Sequence, residues 1–413
     1  MEKLDKVKEI LKEYNQEHLL NNYNNLDSES KEVLLNQILN IDFEKQKRLF
    51  DSVKDKKDLI NEDVGQVVAI NPEDLLEEEK LEYKKIGSEL IKDGKLAIVT
   101  LAGGQGTRLG HKGPKGTYML LENKSLFEIL CDKLKEANKK YNTVITWYIM
   151  TSKENNKDTL KFFFDNNYFE YPKESIIFFN QNDLPMNSLE GKIILNEKGL
   201  IKCGADGHGG IFKAMEQNGI LDDIVKRNID WVFVTPIDNP LIELVDPIFM
   251  GVAKKENFGG IGKSVIKIDP NQKSGVFCLR DNKVNVVEYT EISQELANKK
   301  DTKGNLFLNN AHINCNMFNI KTIKEIIDID ISYHIAKKKA TYLNEEGNII
   351  IPEEPNAYKY EKFIFDYFPY VEKFGIFTVK KELEYAPIKD KAEKAKEAYL
   401  NKKGVCSKWK HIL

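Results

Sequence analysis

The residues of this chain whose types and spacing could do chemistry are concentrated in one glycine-rich segment, LAGGQGTRLGHKGPKG, at residues 101–116. Glycines such as Gly103 and Gly104 let the backbone pass close to a ligand and leave its N–H groups open to an anion. Arg108 and Lys115 add positive charge within the same segment. This combination predicts a binding site for a nucleotide or another polyphosphate.

Two widespread phosphate-binding patterns do not fit the chain. A dinucleotide-binding G-x-G-x-x-G pattern could begin at Gly104 and Gly106, but Leu109 stands where its third glycine belongs. A P-loop could end in the Gly-Lys-Ser that contains Lys263, but Asn257 stands where its first glycine is required. We therefore expect a phosphate-binding loop of another type.

A single acidic residue, Asp238, follows the apolar run of the segment WVFVTPIDNP. A carboxylate at a strand end beside a phosphate loop is well placed to hold Mg²⁺, whose remaining ligands are water and phosphate oxygens. An aspartate before Asn-Pro also commonly forms a turn or caps a helix. On the residues alone, both interpretations of Asp238 stay open.

Hydrophobic patterning predicts the elements that position these residues. Short runs typical of strands are LAIVTL at 96–101, VITWYIM at 144–150, IIFF at 176–179 and WVFV at 231–234. The first two enclose a helix that Ser125 is expected to cap, with Glu128 completing a capping box. This order indicates a βαβ unit and a parallel sheet. A hairpin formed by GVFCL (275–279) and VNVVEY (284–289) would make the sheet mixed.

Composition excludes several classes of protein. The 413 residues suffice for two or three domains, and the 62 basic and 65 acidic residues leave a net charge of −3. Such a balance excludes a broad positive field as the main means of binding nucleic acid or anionic lipid. The five cysteines, Cys406 among them, contain no Cys-x-x-Cys pair, so we expect reduced thiols. No apolar run approaches the ~18 residues of a membrane span, and we expect a cytoplasmic protein.

A series of segments beyond the glycine-rich loop resembles one known family. LAGGQGTRLG followed by PKG resembles the signature of the eukaryote-type UTP-dependent sugar-1-phosphate uridylyltransferases, most closely their UDP-N-acetylhexosamine pyrophosphorylase branch. Further segments in the family's order are WYIMTS (147–152), FFNQNDLP (178–185), GKIIL (191–195), ADGHGG (205–210), VVEYTEIS (286–293) and EKFIFDYF (361–368). The resemblance covers roughly residues 95–390.

The resemblance implies an α/β fold with a Rossmann-like mixed central sheet of the GT-A-like, nucleotide-sugar transferase type. It implies a helical N-terminal region at residues 1–94, a catalytic α/β nucleotidyltransferase domain at 95–365, and a short C-terminal region at 366–413 that ends in a charged helix. Since this C-terminal region is shorter than in the larger eukaryotic relatives, we expect a monomer.

The resemblance further implies roles for single residues. The residues expected to bind UTP are Leu101, Ala102, Gly103, Gly104, Gln181 and Gly207. The cations expected on the phosphates are Arg108, Lys115 and Lys359, and Asp238 is expected to hold Mg²⁺. Without the family pattern, Gln181 would be interpreted as a turn residue and Lys359 as a surface charge.

The expected sugar-binding residues are His208, Gly275, Glu288 and Asn309. His208 departs from the nearest branch, which usually has asparagine in this place, whereas the UDP-glucose and broad UDP-sugar branches carry Gly-His-Gly. The stretch around Asn309, LNNAHINCN, also differs from that branch's usual Asn-Ala-Gly-Asn. Both departures concern the sugar and leave the expected UTP site unchanged.

The implied reaction converts UTP and a hexose 1-phosphate into a UDP-sugar and pyrophosphate, with N-acetylglucosamine 1-phosphate favoured as the acceptor. The alternatives are a UDP-glucose, UDP-galactose or broad UDP-sugar pyrophosphorylase, a nucleotide-sugar glycosyltransferase, and a non-catalytic nucleotide-sugar sensor. A glycosyltransferase would be expected to carry a DxD motif at a strand end, where Asp238 stands alone.

Overall fold

The computed structural model describes residues 2–54, 60, 64–389 and 391–404. Cys406 and the other residues from 405 to 413 of the predicted C-terminal region lie outside the described residues. The helices are α1 (Glu2–Glu13), α2 (Ser28–Leu39), α3 (Phe43–Asp51), α4 (Glu77–Lys92), α5 (Leu126–Tyr141), α6 (Asn156–Asp165), α7 (Ile211–Gln217), α8 (Ile220–Lys226), α9 (Pro247–Lys255), α10 (Gln294–Asn298), α11 (Ile320–Ile326), α12 (Lys381–Glu384) and α13 (Glu393–Lys402).

The described residues form eighteen strands. They are β1 (Leu96–Leu101), β2 (Met119–Leu121), β3 (Lys124–Ser125), β4 (Thr146–Thr151), β5 (Ile176–Asn180), β6 (Asp183–Pro185), β7 (Asn187–Ser188), β8 (Cys203–Ala205), β9 (Trp231–Pro236), β10 (Gly260–Ile266), β11 (Val276–Arg280), β12 (Lys283–Val287), β13 (Asn310–Asn319), β14 (His334–Lys338), β15 (Tyr342–Leu343), β16 (Ile349–Ile350), β17 (Ala357–Glu361) and β18 (Phe374–Thr378).

The chain forms two units, each assembled from three segments. The first unit consists of Met1–Lys57, Asn182–Gly210 and Ile331–Phe363, and the second of Asp58–Gln181, Ile211–Asp330 and Ile364–Leu413. The three-part division at residues 94 and 365 stays a prediction.

The second unit is built on a nine-stranded mixed sheet, in which the order β12-β11-β13-β9-β1-β4-β5 is extended by β10 and β18. β1 lies between β9 and β4 and runs parallel to both. All six of its residues are buried, which explains the uninterrupted apolar run LAIVTL. Because β13 runs antiparallel to β9, the sheet is mixed, and the predicted fold class is confirmed.

Helix α5 forms where its sequence predicts, with the Ser125 half of the predicted capping box; the described structure has no hydrogen bond from the Ser125 N–H to the Glu128 side chain. The hydroxyl of Ser125 accepts a hydrogen bond from the Glu128 N–H at 3.1 Å, which caps the helix. Its apolar face, which includes Leu126, Ile129 and Leu134, is buried in the main core of the unit. β1 precedes α5 in the sequence and β4 follows it, and the two strands pair in parallel, which confirms the predicted βαβ unit.

The following strand starts later than predicted, at Thr146 instead of Val144. The reason is local, because the Asn138 side chain accepts the N–H of Ile145 at 3.0 Å and Val144 is exposed. The predicted hairpin is present as β11 and β12, with Asp281 and Asn282 at positive φ in its two-residue turn.

Helices α4 and α9 pack against each other at unusually close range. A Cβ added at Gly251 would lie 1.8 Å from the Tyr83 carbonyl oxygen, and one at Gly87 would lie 1.9 Å from that of Pro247. The two glycines therefore allow the helix backbones to touch where any side chain would separate them.

The first unit has smaller cores of its own. One joins α1 and α2 through Val7, Leu11 and Leu34 to Ile193 and Leu195. Its three-stranded sheet has the order β14-β17-β7. Within the described residues of the chain, no helix is long and apolar enough to cross a membrane.

Candidate nucleotide-binding site

The glycine-rich loop leaves the carboxyl end of β1 and is held by a buried asparagine. Asn155 donates from its side-chain amide to the carbonyl oxygens of Ala102, at 2.9 Å, and Gly104, at 3.3 Å. The Lys115 backbone N–H also donates to the Gly104 carbonyl, at 3.0 Å, so the loop folds back on itself. Arg108 is exposed in a short 3-10 helix, Thr107–Leu109, within this loop.

Gly103 lies directly against Gln181, and the resemblance predicts that both residues bind the base. A Cβ added at Gly103 would lie only 2.4 Å from Gln181 Nε2. The Gln181 side chain is buried, and its backbone N–H donates to Thr151 at the end of β4. Its amide offers a donor and an acceptor, the groups needed to recognise a pyrimidine edge.

Lys115 and Asp238 form an ion pair at the same edge of the sheet. Lys115 Nζ lies 2.7 Å from Asp238 Oδ2, and both side chains are largely buried. β1 and β9 are parallel neighbours, with Leu101 beside Pro236, so the loop and the Asp238 turn leave the sheet side by side. Ligands of open α/β sheets bind at this edge.

Asp238 is a suitable partner for Mg²⁺ only in company with a nucleotide. Among the described residues, no group of three or more His, Cys, Asp or Glu side chains could hold a metal ion. Mg²⁺ characteristically binds through one or two carboxylates and completes its shell with water and phosphate oxygens. A single carboxylate beside a phosphate-binding loop fits this mode of coordination.

The predicted sugar residues of the second unit lie near the same edge. Glu288 Oε1 would be 3.0 Å from a Cβ added at Gly275, so the two residues adjoin. Asn309 immediately precedes β13, which pairs with β9 through Asn316–Asn319 and whose earlier residues extend beyond the carboxyl end of β9. The Gly275 carbonyl accepts the His312 N–H at 3.0 Å, so all three residues lie around the first residues of β13, on the side of the sheet at which β9 ends.

The remaining predicted residues belong to the first unit. The His208 ring stacks on Phe363, with the ring centroids 5.2 Å apart. Lys359 Nζ pairs with Glu361 at 2.8 Å, and its methylene groups lie along Gly204. A Cβ added at Gly207 would lie 2.3 Å from the Lys362 carbonyl oxygen.

Beside these residues lies a buried carboxyl group that no sequence pattern marks. Burial raises the pKa of Asp206 to about 7, against the opposing effect of Lys362 and Lys45. Its Oδ1 is buried with no hydrogen-bond partner in the described structure. The Asp206 carbonyl accepts the N–H of Lys362 at 2.7 Å, which joins the Gly207 turn to β17.

Comparison with known proteins decides the family. The family model described as UTP–glucose-1-phosphate uridylyltransferase matches residues 42–399, most of the chain. The chain belongs to this family. The resemblance predicted from the sequence is thereby confirmed.

Individual members of the UTP–glucose-1-phosphate uridylyltransferase family show how far the similarity extends. The UDP-N-acetylglucosamine pyrophosphorylase of Saccharomyces cerevisiae is 38% identical over 338 residues, covering 77% of this chain and 71% of that protein. The UDP-N-acetylhexosamine pyrophosphorylase-like protein 1 of Mus musculus is 35% identical over 326 residues, covering 76% of this chain. The match spans 64% of the Mus musculus protein's own length, slightly less than two thirds.

A solved structure extends the likeness to the fold. The uridine diphosphate N-acetylglucosamine pyrophosphorylase of Trypanosoma brucei, crystallised with an inhibitor, superimposes with a TM-score of 0.80 at 26% identity. The match covers 97% of this chain and 85% of that one.

Two buried asparagines that hold the glycine-rich loop and the Asp238 turn are not marked by any sequence pattern. Asn155 holds the glycine-rich loop, and Asn239, next to Asp238, is fully buried. Asparagines are common in loops, so their types alone do not mark them. Their positions, four residues after the end of β4 and three after the end of β9, are the signal that the sequence offers.

Proposed function

We propose that this protein transfers a uridylyl group from UTP to a hexose 1-phosphate, and that N-acetylglucosamine 1-phosphate is the preferred acceptor. The observation that carries the proposal is the Lys115–Asp238 pair beside the glycine-rich loop, at the carboxyl ends of β1 and β9. This edge offers backbone N–H groups and a cation to phosphates, together with one carboxylate for a divalent cation. The names of the relatives support UTP chemistry and the N-acetylglucosamine substrate.

In the proposed reaction, a phosphate oxygen of the hexose 1-phosphate attacks the α-phosphorus of UTP. A new phosphorus–oxygen bond forms while the bond from the α-phosphorus to the bridging β-phosphate oxygen breaks, and pyrophosphate leaves with that electron pair. A phosphate monoester already presents an unprotonated oxygen at neutral pH, so no general base is needed. The obstacle is the repulsion between two polyanions, which positioning and charge neutralisation overcome.

The chain's own residues divide this work. Gly103, Gly104 and Gln181 orient the uracil, while Arg108 and Lys115 attract the phosphates. The family resemblance further assigns Leu101, Ala102 and Gly207 to the base and Lys359 to the phosphates. Asp238 would hold Mg²⁺, which would neutralise part of the negative charge on the phosphate oxygens.

Gly275, Glu288, Asn309 and His208 are proposed to bind the sugar. Glu288 can accept hydrogen bonds from two sugar hydroxyls, and Gly275 permits a close backbone approach. His208 favours a second candidate, glucose 1-phosphate as acceptor, because Gly-His-Gly resembles the UDP-glucose branch. We further propose that the protein is monomeric and cytoplasmic.

Removal of Lys115 tests the reaction itself. In Lys115→Ala, we expect UTP-dependent pyrophosphate release to fall by about 10²–10³-fold, as for the loss of one transition-state contact. Lys112→Ala removes an exposed lysine from the same loop and serves as the matched control, with its rate expected to stay near that of the unchanged protein. Full activity in folded Lys115→Ala contradicts the assignment. Binding of UTP without any turnover in the unchanged protein favours the non-catalytic sensor.

A further inference from the structure

Lys263 is a fully buried lysine that the proposed reaction does not use. It lies on β10 with 0% of its surface exposed. Its ammonium group faces the rings of Phe249, at 5.1 Å, and Phe233, at 5.7 Å. A buried ammonium is costly unless it is paired, so its partners indicate why the chain tolerates it.

Two carboxylates surround the Lys263 ammonium. Nζ lies 2.6 Å from Glu384 Oε2 and 3.5 Å from Asp246 Oδ2. Burial alone would lower the pKa of Lys263, but the charges of Glu384 and Asp246 outweigh it and hold that pKa above its ordinary value. The lysine is therefore charged, and its shorter contact is to Glu384.

The two partners lead to different parts of the unit. Asp246 caps α9, because its Oδ1 accepts the N–H groups of Ile248 at 2.9 Å and Phe249 at 3.1 Å. Glu384 ends α12 and begins a segment, residues 384–388, that lies along the turn after β9.

Three hydrogen bonds join this segment to the turn that carries Asp238. The side-chain amide of Asn239 donates to the Glu384 carbonyl at 2.7 Å and accepts the Ala386 N–H at 3.1 Å. The Ile388 N–H donates to the Asp238 carbonyl at 2.9 Å. The position of the Asp238 backbone is thus tied to residues 384–388, and through Glu384 to Lys263.

We propose that Lys263 and Glu384 are positioning residues for Asp238. Their ion pair holds residues 384–388 against the turn and thereby fixes the Asp238 carboxylate beside Lys115. This inference rests on the proposed uridylyl transfer, in which Asp238 acts at the phosphates. It extends the site to a lysine and a glutamate that touch neither substrate.

The test compares Glu384→Gln with Asp246→Asn, each of which removes one carboxylate charge from Lys263. A displacement on the order of 1 Å can lower a rate by about 10²-fold, so we expect kcat in Glu384→Gln to fall by about 10–100-fold. The KM for UTP should stay unchanged, because Gly103 and Gln181 are not disturbed. Asp246→Asn can still cap α9 and should keep its kcat.

Hydrogen exchange supplies a readout that does not depend on activity. In Glu384→Gln, the backbone N–H groups of the non-proline residues in 237–242 and 384–388 should exchange faster than in the unchanged protein. In Asp246→Asn, their exchange should stay unchanged. If Glu384→Gln does not fold, Lys263→Met/Glu384→Gln removes both charges while keeping the volume, and the same lowered kcat is expected. An unchanged kcat in the glutamate variant, or an equal loss of kcat in Asp246→Asn, overturns the inference. If the unchanged protein releases no pyrophosphate, the proposed function fails and the exchange result alone decides the inference.

Discussion

Adding one methyl group at Gly103 should displace Gln181 and weaken UTP binding. The new Cβ would lie 2.4 Å from Gln181 Nε2 and 2.9 Å from its Cδ, far inside an ordinary contact. The amide must retreat by about 1 Å to restore normal van der Waals separation. Because it is a side-chain end, the fold should survive, but the hydrogen bond to the base should be lost. Losing one such bond costs about 1–3 kcal/mol, or roughly 5–150-fold in affinity.

Calorimetric titration with UTP measures this loss, and a double-mutant cycle identifies its cause. If Gly103→Ala acts through the glutamine, adding it to Gln181→Ala should weaken UTP binding no further. Circular dichroism of each variant provides the control for folding. Additive losses would show that the methyl group obstructs the base directly, and an unchanged affinity in Gly103→Ala would refute the assignment of this pair to the base site.

Further predictions concern the metal, a buried carboxyl group and a helix contact. Asp238→Asn should lower kcat by about 10²–10³-fold in a pyrophosphate-release assay with MgCl₂. The Asp206 carboxyl group ionises at about pH 4 in the unfolded chain but only at about pH 7 in the folded protein. The free energy of unfolding should therefore fall by at most about 4 kcal/mol as pH rises between these values. Urea titrations of Asp206→Asn should lack this fall. In the same titrations, Gly251→Ala should lower the free energy of unfolding by about 3 kcal/mol or more, because its methyl group would lie 1.8 Å from the Tyr83 carbonyl oxygen.

The parts of the fold that sequence patterns predict are those governed by local chemistry. β1 is recognisable because a strand buried on both faces needs an apolar run, and α5 because Ser125 supplies its cap. The start of β4 is misplaced because Val144 and Ile145 are typical strand residues, while the side chain of Asn138, at the end of α5, accepts the Ile145 N–H. A hydrogen bond to a single side chain of this kind leaves no trace in the hydrophobic pattern.

The candidate site also contains both residues that a local motif marks and residues that no motif marks. Gly103 and Lys115 stand in a dense motif, so their types and spacing suggest phosphate binding. Lys263, by contrast, attracts attention in the sequence only as part of a failed P-loop match. Lys263 pairs with Glu384, which lies more than a hundred positions later, only because β10 packs near the segment 384–388.

The central claim is uridylyl transfer to a hexose 1-phosphate, and pyrophosphate release measured across a panel of acceptors tests it most directly. With UTP and MgCl₂, the purified protein should release pyrophosphate only when a sugar phosphate is added. The highest kcat/KM is predicted for N-acetylglucosamine 1-phosphate, above N-acetylgalactosamine, glucose and galactose 1-phosphates. A higher value for glucose 1-phosphate would contradict the proposed acceptor, and no pyrophosphate release with any of the four would contradict the claim itself.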